Sequence, residues 1–243
     1  MDGAGSLSGQ VAIVTGAGSG VGRAVALALA AEGMTPALVG RRRDALEATA
    51  AAIQERGGKA LVAPGDVADE VVVGETVEQV LDEFGRIDSL ICCAGIGLYG
   101  RVEGYPLAAW QQTMATNLTG VFLYCRAVIG PMRERGRGSI ISIASGAGKQ
   151  GYPELAAYSA SKFGLIGFMQ SLAAEVGEHG IKVSTIVPGS ILTEFGGRTI
   201  EEKQAAMAAG RRYLQPEDVA DAVLFLLRQP DRAWTQELNL WPF

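Results

Sequence analysis

The sequence has little of what metal sites, disulfide scaffolds and nucleic-acid-binding surfaces require. It contains one histidine and three cysteines, Cys92, Cys93 and Cys125. No metal-ligand spacing is present, so we expect no bound metal and interpret the cysteines as reduced core thiols. Lys plus Arg number 21 against 26 Asp plus Glu, and the resulting net charge of −5 argues against a nucleic-acid partner.

Segments that would direct the chain to a membrane are also missing. No run of about 18 apolar residues occurs, so we expect no membrane span. Met1–Gln10 has neither a basic n-region nor an apolar h-region, so no signal peptide is apparent and a cytoplasmic location is the default expectation.

What the sequence does have is a regular alternation of apolar β-rich runs and amphipathic helix-like stretches. This alternation predicts a parallel sheet covered on both faces, and 243 residues suit one such domain. We therefore predict a single Rossmann-type α/β domain over residues 1–243, doubly wound, with a mainly parallel seven-stranded sheet. The strands are predicted at Val11–Thr15, Thr35–Gly40, Ala60–Ala63, Ser89–Cys93, Ser139–Ile143, Lys182–Val187 and Thr235–Leu240.

Helices are predicted between these strands from their amphipathic spacing. The helical stretches are Gly20–Glu32, Asp44–Arg56, Glu70–Phe84, segments between Pro106 and Arg135, Leu155–Glu178 and Pro216–Arg228.

A glycine-rich turn joins the first predicted strand to the first predicted helix. Gly16, Gly20 and Gly22 follow the spacing Gly-x-x-x-Gly-x-Gly. Glycines let backbone N–H groups approach a pyrophosphate, and a helix N-terminus supplies positive potential. We predict that Gly16, Ser19, Gly20, Val21 and Gly22 bind a dinucleotide cofactor; the alternative is a plain strand-to-helix turn.

The end of the second predicted strand bears on which cofactor this is. NAD-binding sites place an acidic side chain there for the ribose 2′-hydroxyl, whereas this chain has Gly40 followed by three arginines. Arg41 is the candidate for a bidentate contact with a 2′-phosphate, with Arg42 in support. We predict NADP(H) in preference to NAD(H); the alternative is a solvated basic helix start.

Four polar residues in the middle of the chain form a candidate proton-transfer site. Tyr158 and Lys162 are four residues apart in a predicted helix and so share one face. A nearby ammonium favours the phenolate and lowers a tyrosine pKa that is otherwise about 10. Ser145 follows a predicted strand, where its hydroxyl can hydrogen-bond a substrate carbonyl. Asn117 lies in a predicted helical segment, where its polar side chain indicates a specific role.

With Asp66-Val67 after the third strand and Pro188-Gly189 before Thr193, these motifs make the chain similar to the short-chain dehydrogenase/reductase family, in its branch of short single-domain members. The resemblance covers Val11 to Pro242. It implies NADP(H)-dependent interconversion of a small-molecule carbonyl and a secondary alcohol by hydride transfer, without a metal. The alternatives are the same chemistry with NAD(H), or a non-catalytic nicotinamide-binding sensor or scaffold on the same fold.

The resemblance also implies a role for each matched residue. Tyr158 would be the general acid in reduction and the base in oxidation, and Ser145 would polarise the carbonyl. Lys162 would lower the pKa of Tyr158 and bind the nicotinamide ribose, and Asn117 would hold a water of the proton relay. Residues 10–135 would form a cofactor half, and residues 136–243 a catalytic and substrate half. The remaining cofactor contacts would come from Asp66 and Val67 at the adenine, Ala94 and Gly95 along the cofactor, and Pro188, Gly189 and Thr193 at the carboxamide end.

The sequence departs from the family pattern in two places. Cys92-Cys93-Ala94-Gly95 stands where the family usually has Asn-Asn-Ala-Gly, which bears on local rigidity, and we interpret the two thiols as inert packing. The stretch Glu237–Phe243 lacks the usual Asp-Gly-Gly, which argues against a ketoacyl reductase of fatty-acid synthesis.

Two further expectations concern the periphery. Residues 192–214 combine glycines with an amphipathic helix, as a mobile lid would, and substrate-facing side chains are expected at Tyr99, Lys149, Gln150, Tyr152 and Leu155. The predicted helix Leu155–Glu178 has more apolar surface than one sheet-facing stripe needs. The resemblance implies that this helix pairs with a symmetry mate, so we expect a homotetramer or homodimer built on Leu165, Ile166, Phe168, Met169 and Leu172.

Overall fold

The computed structural model describes residues 7–243 and contains one sheet of seven parallel strands, in the order β3-β2-β1-β4-β5-β6-β7. The predicted doubly wound, single-domain α/β fold is thereby confirmed. The order reverses between β1 and β4, which is the position where doubly wound folds bind their ligands. The strands are Val11–Thr15 (β1), Thr35–Gly40 (β2), Leu61–Pro64 (β3), Ser89–Cys92 (β4), Gly138–Ile143 (β5), Ile181–Pro188 (β6) and Glu237–Leu240 (β7).

The described residues contain eight α-helices, most of which cover the two faces of this sheet. They are Gly20–Ala31 (α1), Arg43–Gln54 (α2), Glu70–Phe84 (α3), Leu107–Met114 (α4), Gly120–Glu134 (α5), Ala156–Val176 (α6), Ile200–Ala208 (α7) and Pro216–Leu227 (α8).

The central strands are buried on both faces because helices lie above and below them. Successive side chains of β1 point to opposite faces, so Val11 and Ile13 join the core under α3, α5 and α6. Ala12 and Val14 join the second core, under α1, α2 and α8. The continuous apolar run of β1 is therefore the signature of a sheet with two buried faces.

Most predicted boundaries lie within one or two residues of the observed ones, as is normal for helix and strand ends. The last strand begins at Glu237 instead of Thr235, because the backbone N–H and carbonyl of Thr235 bond to side chains and not to a neighbouring strand. Its N–H donates to the side chain of Gln229, and its carbonyl accepts from the hydroxyl of Ser184. Cys93 falls just outside β4 and is only partly buried, unlike Cys92 and Cys125.

The apolar stripe of α6 that we expected at an oligomer interface lies in the core instead. Leu165, Ile166, Met169 and Leu172 are between 1% and 7% exposed, and among the five predicted residues only Phe168 is partly exposed. That assignment was wrong because α6 packs on the sheet and also on the neighbouring helices α4 and α5. The predicted stripe is therefore covered within one chain, whereas another face of α6, which includes Phe163, remains exposed.

Two expectations about membranes can be compared with this fold. Within residues 7–243, no helix combines the length and apolar character needed to cross a bilayer. The expectation for Met1–Gln10 falls largely on residues 1–6, which lie outside the described residues.

Candidate active site

The predicted site residues meet at the carboxyl edge of the sheet. The glycine turn follows β1, Arg41 follows β2, Asp66 follows β3, and Ser145 follows β5. Because parallel strands end at one edge, residues far apart in the sequence share one crevice there.

Tyr158 and Ser145 are direct neighbours. Tyr158 is 8% exposed, and its burial raises the pKa of the phenol, an effect that the hydrogen bond with the Ser145 side chain opposes. The Ser145 hydroxyl also accepts a hydrogen bond from the Ala147 N–H at 3.1 Å, so its own proton points away from that turn. Two hydroxyl groups thus face one point at the edge of the sheet.

Lys162 lies beside the ring of Tyr158. Its ammonium nitrogen is 5.8 Å from the ring centroid and donates to the Ile143 carbonyl at 2.8 Å. In this structure the pKa of Tyr158 is raised and not lowered, contrary to the expectation for a Tyr–Lys pair, because burial dominates. Burial also lowers the pKa of Lys162 to about 8, although the neighbouring Cys93 and Cys92 act in the opposite direction.

Asn117 sits in a π-helical turn, Ala115–Thr119, between α4 and α5. Such wide turns recur at functional sites. The Asn117 carboxamide accepts from the Ile96 N–H at 2.8 Å, donates to the Ile96 carbonyl at 2.9 Å, and donates to the Ser161 hydroxyl at 3.0 Å. The Ser161 hydroxyl in turn donates to the carbonyl of Tyr158. This buried amide therefore ties the loop after β4 to the helix that carries Tyr158.

The segment that departs from the family pattern is held by Thr15. Its hydroxyl accepts from the N–H groups of Cys93 and Ala94, both at 3.1 Å. Burial raises the pKa of the Cys93 thiol, which supports its interpretation as an unreactive group. Sequence reasoning missed Thr15 as a site residue, although a hydroxyl at the end of an otherwise apolar strand was a visible signal.

An open cleft runs along this edge from the glycine turn to the arginines after β2. It brings together several predicted cofactor residues from four separate parts of the chain. Its lining also includes residues that we did not predict: Gly18, Leu46, Gly65, Ile96 and Thr116. The predicted residues that line it are Gly16, Ser19, Arg41, Arg42, Asp66, Val67, Ala94 and Gly95. Gly40, which precedes the arginines, also lines it.

The glycine turn leaves no room for side chains. A Cβ atom at Gly22 would lie 2.2 Å from the carbonyl oxygen of Gly16, and one at Gly16 would lie 2.9 Å from the backbone of Ala94. Gly16 and Gly20 also have positive φ angles of 69° and 50°. Val21 and Gly22 belong to the first turn of α1.

The charges at the far end of the cleft are mainly positive. Arg41 and Arg42 are exposed and form no ion pair within residues 7–243, whereas Arg43 faces Glu47 at 3.8 Å. Asp66 is the single acidic residue of the lining, and one of its carboxylate oxygens accepts from the Ala68 N–H.

Eight predicted cofactor residues do not line this cleft: Gly20, Val21, Gly22, Tyr158, Lys162, Pro188, Gly189 and Thr193. Pro188 ends β6, and Gly189 follows it under the side chains of Trp241 and Pro242. Thr193 instead reaches the glycine turn, since a Cβ at Gly20 would lie 3.3 Å from its methyl group.

Residues 192–214, the lid segment, are anchored at both ends and cover Tyr158. A short parallel bridge joins Ile191 to Leu214. Phe195 packs against the ring of Tyr158, with centroids 5.6 Å apart. Tyr99, one of the expected substrate-facing residues, packs on the same ring edge-on at 6.0 Å. Lys149, another of them, is ion-paired with Glu237.

Comparison with known proteins agrees with this geometry. The sequence model of the family described as short chain dehydrogenase matches residues 10–204. A 3-oxoacyl-[acyl-carrier-protein] reductase from a Synechocystis species is 39% identical, over 94% of this chain and 93% of its own length. Glycine betaine reductase from Emericella nidulans is 36% identical over 98% of this chain, which spans only 19% of that protein.

Solved structures show the same likeness. A metagenomic short-chain oxidoreductase crystallised with NADP superimposes with a TM-score of 0.86 and 34% identity, covering 98% of this chain and 99% of that one. The fold and the site together define an oxidoreductase with a Rossmann nucleotide-binding domain. The chain belongs to the short-chain dehydrogenase/reductase family.

Proposed function

We propose that the chain interconverts a small-molecule carbonyl and a secondary alcohol by hydride transfer with NADP(H), with Tyr158 as the acid/base group. The observation that carries this proposal is the meeting of the Tyr158 and Ser145 hydroxyls beside a glycine-lined cleft. Reduction of a carbonyl needs a proton donor and a polarising hydrogen-bond donor at one oxygen atom. These two side chains supply both.

The cleft fits a nicotinamide dinucleotide, which when bound supplies or accepts the hydride. A backbone too tight for side chains lies at the N-terminus of α1, as a pyrophosphate site requires. Arg41 and Arg42 stand where an NAD enzyme has an acid, which supports a preference for the 2′-phosphate. The similar metagenomic enzyme was crystallised with NADP.

Four side chains would each have a separate role in proton transfer. Because burial raises its pKa, Tyr158 keeps its proton at neutral pH and can give it to a substrate oxygen during reduction. Ser145 donates a hydrogen bond to the same oxygen. Lys162 holds a buried positive charge beside the ring, and we assign it to the relay and to the cofactor ribose. Asn117 positions the Ile96 loop and α6, and we place it at the end of the relay.

A proposed homo-oligomer now rests on other residues than those first expected. Phe122 on α5 is 41% exposed and Phe163 on α6 is 48% exposed, and the two helices touch through Phe122 and Phe168, whose rings are 6.1 Å apart. Exposed aromatic residues on adjacent helices form the kind of apolar patch that marks a protein interface.

The decisive experiment combines a substrate panel with one substitution. Oxidation of NADPH is followed with ketones, aldehydes and ketoacyl thioesters, and the best substrate is then used with Tyr158→Phe. This change keeps the ring and removes the transferable proton, so turnover should fall by at least about 10²-fold. Cofactor binding should persist.

Tyr105→Phe is the matched control. Its hydroxyl donates to the Leu98 carbonyl and not to Tyr158 or Ser145, so turnover should stay near that of the wild type. Full turnover by Tyr158→Phe would overturn the assignment of the acid. Tight NADPH binding without turnover of any panel member would favour the sensor or scaffold.

A further inference from the structure

The indole ring of Trp241 lies across two glycines that border the proposed catalytic groups. A Cβ at Gly146 would lie 2.6 Å from Cη2 of Trp241, and one at Gly189 would lie 2.9 Å from its Cε3. Both distances are shorter than real Cβ contacts, so the six-membered ring touches both backbones. Gly146 directly follows Ser145. A single side chain therefore spans the turn after β5 and the turn after β6.

The position of Trp241 is fixed by two separate ties. Leu240 is paired with Pro188 in the parallel β6–β7 ladder, and its carbonyl accepts from the Gly189 N–H at 2.8 Å. The Lys149 ammonium forms an ion pair with the carboxylate of Glu237 at the start of β7. Because Lys149 ends the turn that begins at Ser145, Glu237 ties β7 to that turn, and Leu240 ties it to the turn after β6, both just before the tryptophan.

The backbone under the ring sets the direction of the Ser145 hydroxyl. The Ala147 N–H donates to the hydroxyl oxygen at 3.1 Å, and the Gly148 N–H donates to the Ser145 carbonyl at 2.8 Å. Residues Gly146–Gly148 thus form a tight 3₁₀ turn whose orientation decides where the hydroxyl proton points. A shift of Gly146 would turn that donor away from the substrate oxygen.

We propose that Trp241 is a positioning residue that acts through Ser145. The ring holds the Ser145–Gly148 turn and the Pro188–Gly189 turn at a fixed separation, so that the Ser145 hydroxyl stays aligned with the carbonyl. The side chain is 54% exposed, so core burial accounts for less of its role than it would for an interior tryptophan. This inference rests on the proposed function of Ser145.

Two measurements test it, and the first needs no substrate. Hydrogen–deuterium exchange of the Ala147 and Gly148 amides should be at least about tenfold faster in Trp241→Ala, because the turn loses its cover. Trp234→Ala is the matched control. Trp234 is 39% exposed, precedes β7 instead of following it, and bonds through its indole N–H to the Val183 carbonyl. Its substitution should leave these two amides unchanged.

The second measurement is a double-mutant cycle with the best carbonyl substrate. Trp241→Ala should lower kcat by about 10- to 100-fold with little change in KM or in the Kd for NADPH, since small misplacements of a catalytic group have effects of this size. Trp241→Phe should recover most of the loss. In a Ser145→Ala background, Trp241→Ala should have almost no further effect, because both changes remove one function.

The outcomes separate the two proposals. If Ser145→Ala lowers kcat but Trp241→Ala has no effect, or has an independent and multiplicative effect, the positioning role is overturned and the proposed function stands. If Ser145→Ala leaves kcat unchanged, the proposed function of Ser145 fails, and the positioning role fails with it. Unchanged amide exchange in Trp241→Ala overturns the inference whatever the kinetics show.

Discussion

The ring of Phe195 covers the ring of Tyr158, with centroids 5.6 Å apart and planes inclined by 54°. Phe195 belongs to the lid segment, within which the Lys203 ammonium donates to the carbonyls of Thr193 and Phe195. The proposed acid is therefore buried by a segment that is not part of the sheet or its covering helices. Burial raises the pKa of Tyr158, and the Phe195 ring is one of the groups that bury it.

Removing the aromatic cover should speed cofactor binding. A Cβ at Gly95 would lie 3.9 Å from the Phe195 ring and 3.8 Å from the Lys162 ammonium, so Phe195 stands at the catalytic end of the proposed cofactor site. We expect this side chain to move when the cofactor binds, so Phe195→Ala should raise the association rate of NADPH in stopped-flow fluorescence. Phe225→Ala, on the outer surface of α8, is the control. An unchanged rate in Phe195→Ala would show that this part of the lid does not limit entry.

Lys162 should make stability depend on pH. Burial lowers its pKa from an ordinary 10.5 to about 8. Below pH 8 both folded and unfolded chains carry the charge, and its full burial penalty opposes folding. Between pH 8 and 10.5 the unfolded chain binds more protons, so stability rises with pH as the penalty is relieved, by about 3 kcal/mol at most.

The neutral variant Lys162→Met provides the reference, because other titrating groups cancel in the difference. The free energy of unfolding of the wild type should increase relative to that of Lys162→Met as the pH rises from 8 to 10, measured by urea denaturation. A difference that is independent of pH would mean that Lys162 titrates near its ordinary value in the folded chain.

The sheet was predictable because its signal is local. Each strand is an apolar run of a few residues, such as Val11–Thr15. Because the run does not alternate between apolar and polar positions, it predicts that both faces of the strand are buried. The glycine turn and Tyr158 were also visible as short motifs. Thr15 was missed because its function, to accept from the N–H groups of Cys93 and Ala94, depends on a partner strand more than 70 residues away.

Burial was the main quantity that the sequence could not supply. The spacing of Tyr158 and Lys162 predicts that they share a helix face, but not that Phe195 and Tyr99 enclose them and raise the tyrosine pKa. Likewise, Leu165 and Met169 formed an apolar stripe in sequence, but the sheet and the neighbouring helices cover it. In each case the missing information was a contact from an element distant in the chain.

Assembly should depend on the exposed aromatic residues of α5 and α6. Phe122→Glu combined with Phe163→Glu would place two charges in the proposed interface, where burial of unpaired charge is strongly unfavourable. Light scattering at micromolar concentration should show an oligomer for the wild type and a monomer for this variant. Val71→Glu, on the exposed face of α3 at 67% exposure, is the control and should keep the oligomer. A monomeric wild type would contradict the proposed assembly.

Cofactor preference should be reversible by changes confined to the end of β2. A contact between a guanidinium and the 2′-phosphate is worth roughly 1.5–3 kcal/mol, or on the order of ten- to a hundredfold in affinity. Gly40→Asp adds the carboxylate that would bind the ribose 2′-hydroxyl, and Arg41→Ala removes the phosphate partner. The site accepts the new side chain, because a Cβ at Gly40 would lie an ordinary 3.4 Å from Leu46.

Dissociation constants for NADPH and NADH, measured by nicotinamide fluorescence, test this directly. The wild type should prefer NADPH, with a preference that weakens as salt rises because Arg41 and Arg42 are exposed. The double variant should prefer NADH. Arg43→Ala is the matched control, since Arg43 lies outside the cleft lining and faces Glu47, so its loss should change neither constant. If the wild type binds NADH as tightly as NADPH, Arg41 and Arg42 are merely solvated, while the assignment of Tyr158 is untouched.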